Sequence, residues 1–513
     1  MGDCVPSRLV HGPVVVGSNV ICGLFTIGAQ RGAERGMESR VPMNASPEVA
    51  TRPARAKGLN ARHIHFIALG SAIGTGLFYG SAGAIQAAGP SVLLVYLLGG
   101  AVVYFMLRAL GEMSVHHPVR GSFGIYTRAH LGGWSGYITG WMFAFEMLIV
   151  CLADLTAIGI YMKFWFPDTA QWIWVAATLL VVGGANIASV RWFGELEFVF
   201  TIIKVTAVVA MIIGGAAILA FGLGSAPEVA GVSNLWNDGG FFPNGVGGMI
   251  AAFILVLFAF GGTEIIGVAG SEAEDPDTSV PRAVNTVPLR ILLFYVGAIL
   301  VILMLNPWRE ITGEESPFVQ IFDTLGVNWA AALLNVVVIT AALSAINADL
   351  FGAGRVLTGL ARENLAPKVM GAVSRNGVPI MTTVIMIIVL IAGVVLNAVL
   401  PDRIFEIVAS LATFATVYVW LMILLAQVAS RRNMDAAEVA SLKFPVPFFP
   451  YGQYFAIAFI IFTFGIMVWY EDFHLALIVG VGFLVLMSVL YFATGRPQAI
   501  APLNYQELDP KTD

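Results

Sequence analysis

The chain has 513 residues, of which 58% are hydrophobic and 12% are charged, with a formal net charge of −5 at pH 7. Soluble domains carry about twice this share of charged residues, so the composition excludes a soluble globular protein and indicates a membrane protein. Cys4, Cys22 and Cys151 are not spaced as the ligands of a metal site. The sequence also has no Walker or Rossmann motif, and the missing Walker motif argues against ATP hydrolysis.

The first 60 residues differ from the rest of the chain. They contain one apolar run, 14–29, followed by Arg31, Arg35 and Arg40. The run is shorter than the roughly 20 residues that a spanning helix needs, and no basic run precedes it as in a signal peptide. We therefore expect residues 1–60 to form a disordered cytoplasmic tail.

From His63 onward, long apolar segments alternate with short loops rich in Pro, Gly and charged residues. A membrane-spanning backbone leaves the hydrocarbon only where water can satisfy its polar groups, and such loops fit that requirement. The pattern predicts an all-α integral membrane protein with 12 transmembrane helices. The approximate bounds of the segments are 64–86, 90–110, 134–162, 171–190, 196–222, 246–270, 288–306, 327–350, 379–400, 404–428, 453–470 and 474–494.

The positions of lysine and arginine orient these segments. Most basic residues outside the segments flank one membrane face, whereas Lys163, Arg309 and Arg403 flank the other. Positively charged loops remain in the cytoplasm, so both termini are predicted to be cytoplasmic. At the cytoplasmic end of the second segment, Arg108 and Glu112 are four residues apart and are predicted to form a structural anchor.

The first and sixth segments contain glycines where a stable helix avoids them. They read L-G-S-A-I-G-T-G-L-F over 69–78 and F-A-F-G-G-T-E-I-I-G over 258–267. Each glycine inside a helix costs about 0.5–1 kcal/mol relative to alanine. Interrupted helices at corresponding positions of two halves are typical of a transporter site at the membrane midplane. The alternative interpretation is that the glycines only allow close helix packing.

Two charged residues lie within segments where burial is expensive. Lys204 lies in the fifth segment, and a lysine at the membrane centre costs about 2.5–3.5 kcal/mol. Loss of its proton removes that cost, so Lys204 is a candidate for proton coupling; the alternative is a structural lysine tethered to carbonyl groups. Glu264 follows the glycine pair of the sixth segment. It is either a gating or proton-linked carboxylate or an acid that only tethers the broken backbone.

Further polar residues occur in the third and eighth segments. Glu146 and Asp154 are about two helical turns apart on one face, where they either line a cavity or pair with polar groups of neighbouring helices. Ser344 and Asn347 either join helices or face the interrupted first segment, in support of a site. Asp349, near the cytoplasmic end of the eighth segment, is expected to be solvated.

Several independent motifs resemble those of the amino-acid permeases of the amino acid–polyamine–organocation superfamily. They are G-S-A-I-G-T-G-L-F at 70–78, A-L-G-E-M-S-V at 109–115, G-E-L-E-F at 194–198, F-A-F-G-G-T-E at 258–264, S-E-A-E-D-P at 271–276 and P-R-A-V-N at 281–285. The resemblance covers roughly residues 55–495. F-E-M-L-I-V in the third segment and S-L-A-T-F-A-T-V in the tenth are most similar to the bacterial proline-specific and threonine/serine permeases.

The resemblance implies a five-plus-five inverted repeat with broken helices 1 and 6 and two extra C-terminal helices. The first repeat would span residues 61–225 and the second 240–430. The extra helices would occupy 445–495, and 496–513 would form a cytoplasmic C-terminal tail. Residues 1–60 lie outside the part of the chain that the resemblance covers.

The resemblance also implies a substrate site made of main-chain groups. The N–H groups of the first break would bind the substrate carboxylate, and the carbonyls of the sixth-segment break would bind its ammonium. The residues so implied are Ile73, Gly74, Thr75 and Gly76 for the carboxylate and Phe258, Ala259 and Phe260 for the ammonium, with the two phenylalanine rings closing over it. Gly262 is also expected to belong to the substrate site. Lys204 matches the lysine that replaces a sodium ion in sodium-independent relatives. Glu146 stands where many relatives have a neutral residue and is a candidate for proton coupling, gating or substrate preference.

The sequence therefore predicts a secondary active transporter in the cell membrane and not an enzyme. It would carry a small neutral amino acid, such as proline, threonine, serine, alanine or glycine, in symport with protons by alternating access. The proton gradient is the expected energy source, without a cofactor or a metal. The expected partners are the amino acid and membrane lipid, without nucleic acid. The alternatives are an amino-acid exchanger of the same fold and an amino-acid sensor that does not transport.

Overall fold

The computed structural model is helical throughout the residues that it describes. These residues are 73–117, 123–188, 190–222, 230–267, 276–324, 327–374, 379–401 and 403–494, and no strand occurs among them. The predicted tails, 1–60 and 496–513, lie outside the described residues, as does the beginning of the first predicted segment. All described residues belong to one unit, Ala56–Asp513.

The helices are numbered here in chain order. The first nine are α1 (Thr75–Phe78), α2 (Gly80–Ala88), α3 (Val92–His116), α4 (Phe123–Leu131), α5 (Gly133–Met162), α6 (Gln171–Ala188), α7 (Val190–Phe221), α8 (Gly245–Phe260) and α9 (Pro276–Asn285). The others are α10 (Val287–Arg290), α11 (Ala298–Leu305), α12 (Pro317–Thr324), α13 (Asn328–Arg362), α14 (Ile380–Val399), α15 (Ile404–Asn433), α16 (Ala436–Ser441), α17 (Tyr451–Trp469) and α18 (His474–Ala493). A π-helical stretch, Ile291–Gly297, joins α10 to α11.

Ten helical stretches of the described residues are long and apolar enough to cross a membrane. They are Gly80–His116, Gly133–Met162, Glu197–Phe221, Gly245–Gly267, Asp277–Leu305, Asn328–Arg362, Ile380–Val399, Ile404–Asn433, Tyr451–Trp469 and Glu471–Ala493. A shorter apolar helix, Gln171–Asn186, lies where the sequence predicts the fourth segment. Gly80–His116 covers parts of two predicted segments, because only the short turn Gly89–Ser91 separates α2 from α3.

The centre of the protein is formed by α5 packed along α13 and α15. Side chains such as Phe143 and Met147 of α5 are fully buried. By contrast, Phe221 of α7 and Phe492 of α18 expose 76% and 63% of their surface. Large apolar side chains on the outside of a helix are typical of helices that lie in a membrane.

Arg108 and Glu112 of α3 have separate partners, so the predicted anchor between them is wrong. Glu112 accepts hydrogen bonds from Arg431 Nε and Nη2 at 2.6 and 2.9 Å and from the backbone N–H of Val446 at 2.6 Å. Arg108 donates to Asn285 Oδ1 at 3.0 Å. The i,i+4 spacing brings the two side chains near each other, but Glu112 bonds α15 and the segment after α16, whereas Arg108 bonds the end of α9.

The short helix α4 lies between two long apolar helices and is outside the predicted membrane segments. Arg128 of α4 pairs with Glu363, at the end of α13, with Nη1 2.8 Å from Oε2. Burial, together with the positive charges of His117 and His116, lowers the pKa of His130 to about 4. A contact network of charged and ionisable groups therefore connects α3, α4 and α13 at one end of the bundle.

Candidate functional site

The first predicted break is present in the backbone. Gly74 is extended, with φ −124° and ψ −167°, and α1 begins immediately after it. The Gly74 carbonyl accepts from the N–H groups of Leu77 and Phe78 at 3.1 and 3.2 Å. The N–H groups of Thr75 and Gly76 belong to the first turn, where donors have no acceptor within the helix. These N–H groups are therefore positioned to donate hydrogen bonds to an anionic group.

The second predicted break follows α8. Gly261 is extended and Gly262 has φ +84°, a left-handed conformation that favours glycine. Regular i→i−4 bonding stops there, and the N–H of Gly262 donates to its neighbour Glu264 Oε1 at 3.3 Å. The chain turns into helix again at residues 265–267. The glycine pair thus unwinds the helix, and the Glu264 side chain bonds the unwound backbone.

The two breaks lie against each other. A methyl group added at Gly76 would come within 2.4 Å of Ala259 Cα, whereas one added at Gly74 would have Ala345 Cβ as its nearest neighbour, at 4.0 Å. The main chains of α1 and α8 therefore touch at Gly76, while space remains beside Gly74. The Ala259 carbonyl accepts a hydrogen bond from the Tyr295 hydroxyl at 2.9 Å.

The rings of Phe258 and Phe260 pack toward different neighbours. Phe258 lies edge-on to Phe405, with 5.8 Å between ring centroids, and Phe260 packs on Tyr295 at 4.7 Å. Residues two apart on a helix point in nearly opposite directions, which accounts for this separation. In this conformation the two rings do not enclose a common space, while the carbonyls of residues 258–260 lie along the same turn.

Lys204 is fully buried and bonded to a residue that the sequence singles out. Its Nζ donates to Ser344 Oγ of α13 at 3.0 Å, and Ser344 donates to Glu197 Oε2 at 2.7 Å. Lys204 Nζ also lies 3.9 Å from Glu197 Oε1. Glu197 was not predicted as part of a site. It precedes Lys204 by seven residues, two turns on the same helix face, and that spacing is the sequence signal for the contact.

Glu146 and Glu264 come together at the second break. Thr416 of α15 donates to Glu146 Oε1 at 2.6 Å, and Trp420 Nε1 donates to Glu264 Oε2 at 3.0 Å. The two carboxyl groups are themselves hydrogen-bonding neighbours. Thr416 and Trp420 are four residues apart on one face of α15, although the sequence alone does not identify what that face contacts.

Asp154 connects the first break to α13. Its Oδ1 accepts a hydrogen bond from the Thr75 hydroxyl, and its carboxyl group lies next to that of Asp349. Asp349 is 3% exposed, so the expectation that it is solvated is wrong. The reason is that α13 continues to Arg362, which places Asp349 well inside the bundle. Asn347, predicted to support the site, is buried, and its Nδ2 has no partner among the described residues.

The arrangement can bind protons without a metal. Five buried carboxyl groups and one ammonium line this interior: Glu146, Asp154, Glu197, Glu264, Asp349 and Lys204. The described residues contain no group of His, Cys, Asp and Glu suited to a metal ion. Two ionised carboxylates in contact repel each other, whereas one proton between them makes a hydrogen bond. One proton would therefore relieve the repulsion within each carboxyl pair.

Comparison with known proteins identifies the family to which this helical bundle belongs. A family model described as amino acid permease matches residues 63–497. The chain belongs to the amino acid permease family. The resemblance inferred from the motifs is confirmed, and this permease is a multi-pass membrane protein and not an enzyme.

Three relatives illustrate the family. YtnA of Bacillus subtilis, an uncharacterised amino acid permease, is 44% identical over 436 residues, which cover 85% of this permease and 94% of YtnA. YbxG of the same organism, named as a probable threonine/serine transporter, is 42% identical over 86% of this permease and 95% of YbxG. The aromatic amino acid transport protein AroP of Escherichia coli is 42% identical over 79% of this permease and 88% of AroP.

The permease motifs coincide with structural features of this chain. A-L-G-E-M-S-V supplies Glu112, which bonds Arg431, and G-E-L-E-F supplies Glu197, which bonds Ser344. F-A-F-G-G-T-E forms the end of α8 and the break after it. The motifs therefore mark buried polar contacts and unwound backbone.

Proposed function

We propose that this permease is a secondary active transporter that carries a small neutral amino acid into the cell together with protons. The observation that carries the proposal is the contact of two interrupted helices, at Gly76 and Ala259, beside a buried lysine and two carboxyl pairs. Interrupted helices offer main-chain donors and acceptors to a zwitterion, and the ionisable groups offer proton sites.

The substrate would lie between the breaks. The N–H groups of residues 73–76 would receive its carboxylate, and the carbonyls of Phe258, Ala259, Phe260 and Gly262 would receive its ammonium. The Tyr295 hydroxyl now bonds the Ala259 carbonyl, so an ammonium group would compete with it or displace it. Since Gly76 touches Ala259, the breaks must separate slightly for a ligand to enter.

The same proposal includes the membrane topology. The chain would cross the membrane twelve times, with residues 61–225 and 240–430 as inverted repeats, 445–495 as two further helices, and both terminal tails in the cytoplasm. Supporting observations are the interruptions in the first and sixth segments and the basic residues concentrated at one face. Alternating access would then move one repeat against the other around the breaks.

Lys204 would couple transport to protons. Its ammonium is fully buried and lies between Ser344 and Glu197. Exchange of a proton at this position changes the charge of a low-dielectric interior, where electrostatic interactions are strong. Glu146 and Glu264 would assist as gating or proton-linked carboxyl groups at the second break.

Uptake into proteoliposomes tests the proposal. The purified permease would be assayed with radiolabelled proline, threonine, serine, alanine, glycine and phenylalanine, with and without an inwardly directed proton gradient. Phenylalanine is included because AroP, a relative, is named as an aromatic amino acid transport protein. We expect one or more of the small amino acids to accumulate only with the gradient. Exchange between preloaded and external amino acid without any effect of the gradient would instead identify an exchanger, and binding without flux would identify a sensor.

A further inference from the structure

Asp154 and Asp349 form a carboxyl pair deep in the bundle, away from Lys204's direct contacts. They come from α5 and α13 and are 1% and 3% exposed. Their carboxyl groups lie next to each other. No basic side chain of the described residues forms an ion pair with either.

One oxygen in each residue lacks a donor. Oδ2 of Asp154 and Oδ2 of Asp349 are buried and receive no hydrogen bond from any N–H or O–H group of the described residues. A buried acceptor without a donor is costly, and two bare carboxylates in contact would also repel each other. A single proton on one carboxyl group removes both costs, because it becomes the donor of a short O–H···O⁻ bond.

The pair is attached to the first break through Thr75. The Thr75 hydroxyl donates to Asp154 Oδ1. A hydrogen bond to a carboxyl group changes its affinity for a proton, so the protonation of the pair depends on this contact. Movement of α1 that withdraws the hydroxyl would therefore change how the pair holds its proton.

Other ionisable groups lie near the pair on three of the elements around it. They are Glu197 and Lys204 of α7, Glu264 of the break after α8, and Glu146, Cys151 and Tyr161 of α5. Charges in a region with little water interact strongly, so Lys204 and the pair influence each other's protonation.

We propose that Asp154 and Asp349 form a second proton-binding site, separate from Lys204, whose proton affinity is set by the position of α1 through Thr75. The role of this site in transport rests on the proposed function. Only a proton is bound and released, so the step needs no other reactant. Substrate bound at the α1 break would bias α1 and thereby the protonation of the pair.

Infrared difference spectroscopy on the full-length permease in lipid tests the pair directly. A protonated carboxyl group has a C=O stretch distinct from that of a carboxylate, and a pH titration reports its loss. We expect D154N and D349N each to remove the same band, and the double variant to remove no more, because one proton is shared. T75V should shift the pH at which the band disappears, since the hydrogen bond that Thr75 donates to Asp154 is lost. Asp277→Asn, at an exposed position, is the matched control and should leave the band unchanged.

Transport gives a second and separate measurement. If the wild-type permease accumulates radiolabelled threonine when a proton gradient is applied, the D349N variant should reach a lower accumulation ratio than the wild type. Counterflow of threonine should persist in this variant. An unchanged infrared band in D154N and D349N, or additive losses in the double variant, would overturn the shared site. If the wild type shows the band but does not accumulate any amino acid tested on a proton gradient, the proposed symport fails and the proton-binding pair stands.

Discussion

Gly76 and Ala259 bring the main chains of two interrupted helices into direct contact. A Cβ atom at Gly76 would lie 2.4 Å from Ala259 Cα, a distance at which the backbone must shift. Gly76→Ala should therefore place a methyl group between the two breaks, where the substrate would lie, at an overpacking cost of about 1–3 kcal/mol, and abolish substrate binding. The measurement is binding of the transported amino acid to purified protein, together with the melting temperature.

Gly74→Ala is the matched control for this variant. The added methyl group would meet only Ala345 Cβ, at 4.0 Å, an ordinary contact. We expect Gly74→Ala to retain binding, whereas the larger Gly74→Val should obstruct the approach of the substrate carboxylate. Wild-type affinity in both Gly76→Ala and Gly74→Val would rule out the first break as the substrate site.

Lys204→Ala should abolish accumulation driven by a proton gradient. The change removes the ammonium that lies between Ser344 and Glu197, so the charge that responds to protons is lost. Counterflow should persist in part, because the main-chain groups of the breaks are untouched. Lys443→Ala, at a side chain that is 68% exposed, serves as the control and should accumulate substrate normally. Full proton-driven accumulation by the Lys204 variant would contradict its assigned role.

Tyr295→Phe should destabilise the substrate-free permease and increase its stabilisation by ligand. The change leaves the buried Ala259 carbonyl without its donor, at a cost of about 1–3 kcal/mol. A bound ammonium group would satisfy that carbonyl, so the ligand-induced rise in melting temperature should exceed that of the wild type. Tyr96→Phe is the control, because the Tyr96 hydroxyl has no hydrogen-bond partner among the described residues. Equal ligand-induced shifts in the wild type and the Tyr295 variant would argue against an ammonium at Ala259.

Glu112→Gln should destabilise the fold by about 3–5 kcal/mol. The carboxylate holds Arg431, whose side chain is only 8% exposed, and glutamine would leave that guanidinium without a counter-charge. Thermal unfolding in detergent measures the effect. The exposed pair of Lys443 and Asp277 should contribute about 0–1 kcal/mol, so Asp277→Asn provides the comparison. Similar melting temperatures for both variants would show that the buried pair is not important for stability.

Acidification should weaken the packing of α4 through His130. Its pKa is about 4 in the folded protein, below the ordinary value of 6.5. Between these values the unfolded state binds more protons, so stability falls as the pH drops from about 6.5 toward 4. The melting temperature of the wild type should fall more between pH 7.5 and 5 than that of His130→Gln. His474→Gln, at an exposed position, should follow the wild type; parallel curves for all three would disprove the role of His130.

The backbone of the candidate site could be predicted better than its side-chain contacts. Clustered glycines disfavour a continuous helix locally, so Gly74 and Gly262 mark the breaks from sequence alone. The burial of Lys204 likewise follows from its apolar neighbours. The pairing of Asp154 with Asp349 depends on how α5 and α13 rotate against each other, and no local pattern specifies that rotation. The predicted pairing of Arg108 with Glu112 is wrong for the same reason, since each side chain bonds a residue that is distant in sequence.

The excess of carboxyl groups in the interior has a consequence for which solutes this permease admits. Five carboxyl groups face one ammonium among the described side chains, so negative charge still predominates when each carboxyl pair retains one proton. Repulsion between like charges is strong where water is scarce. Aspartate and glutamate would bring an additional negative charge into this region and are disfavoured there. We therefore expect the permease to discriminate against dicarboxylic amino acids by charge, before the shape of the side chain has any influence.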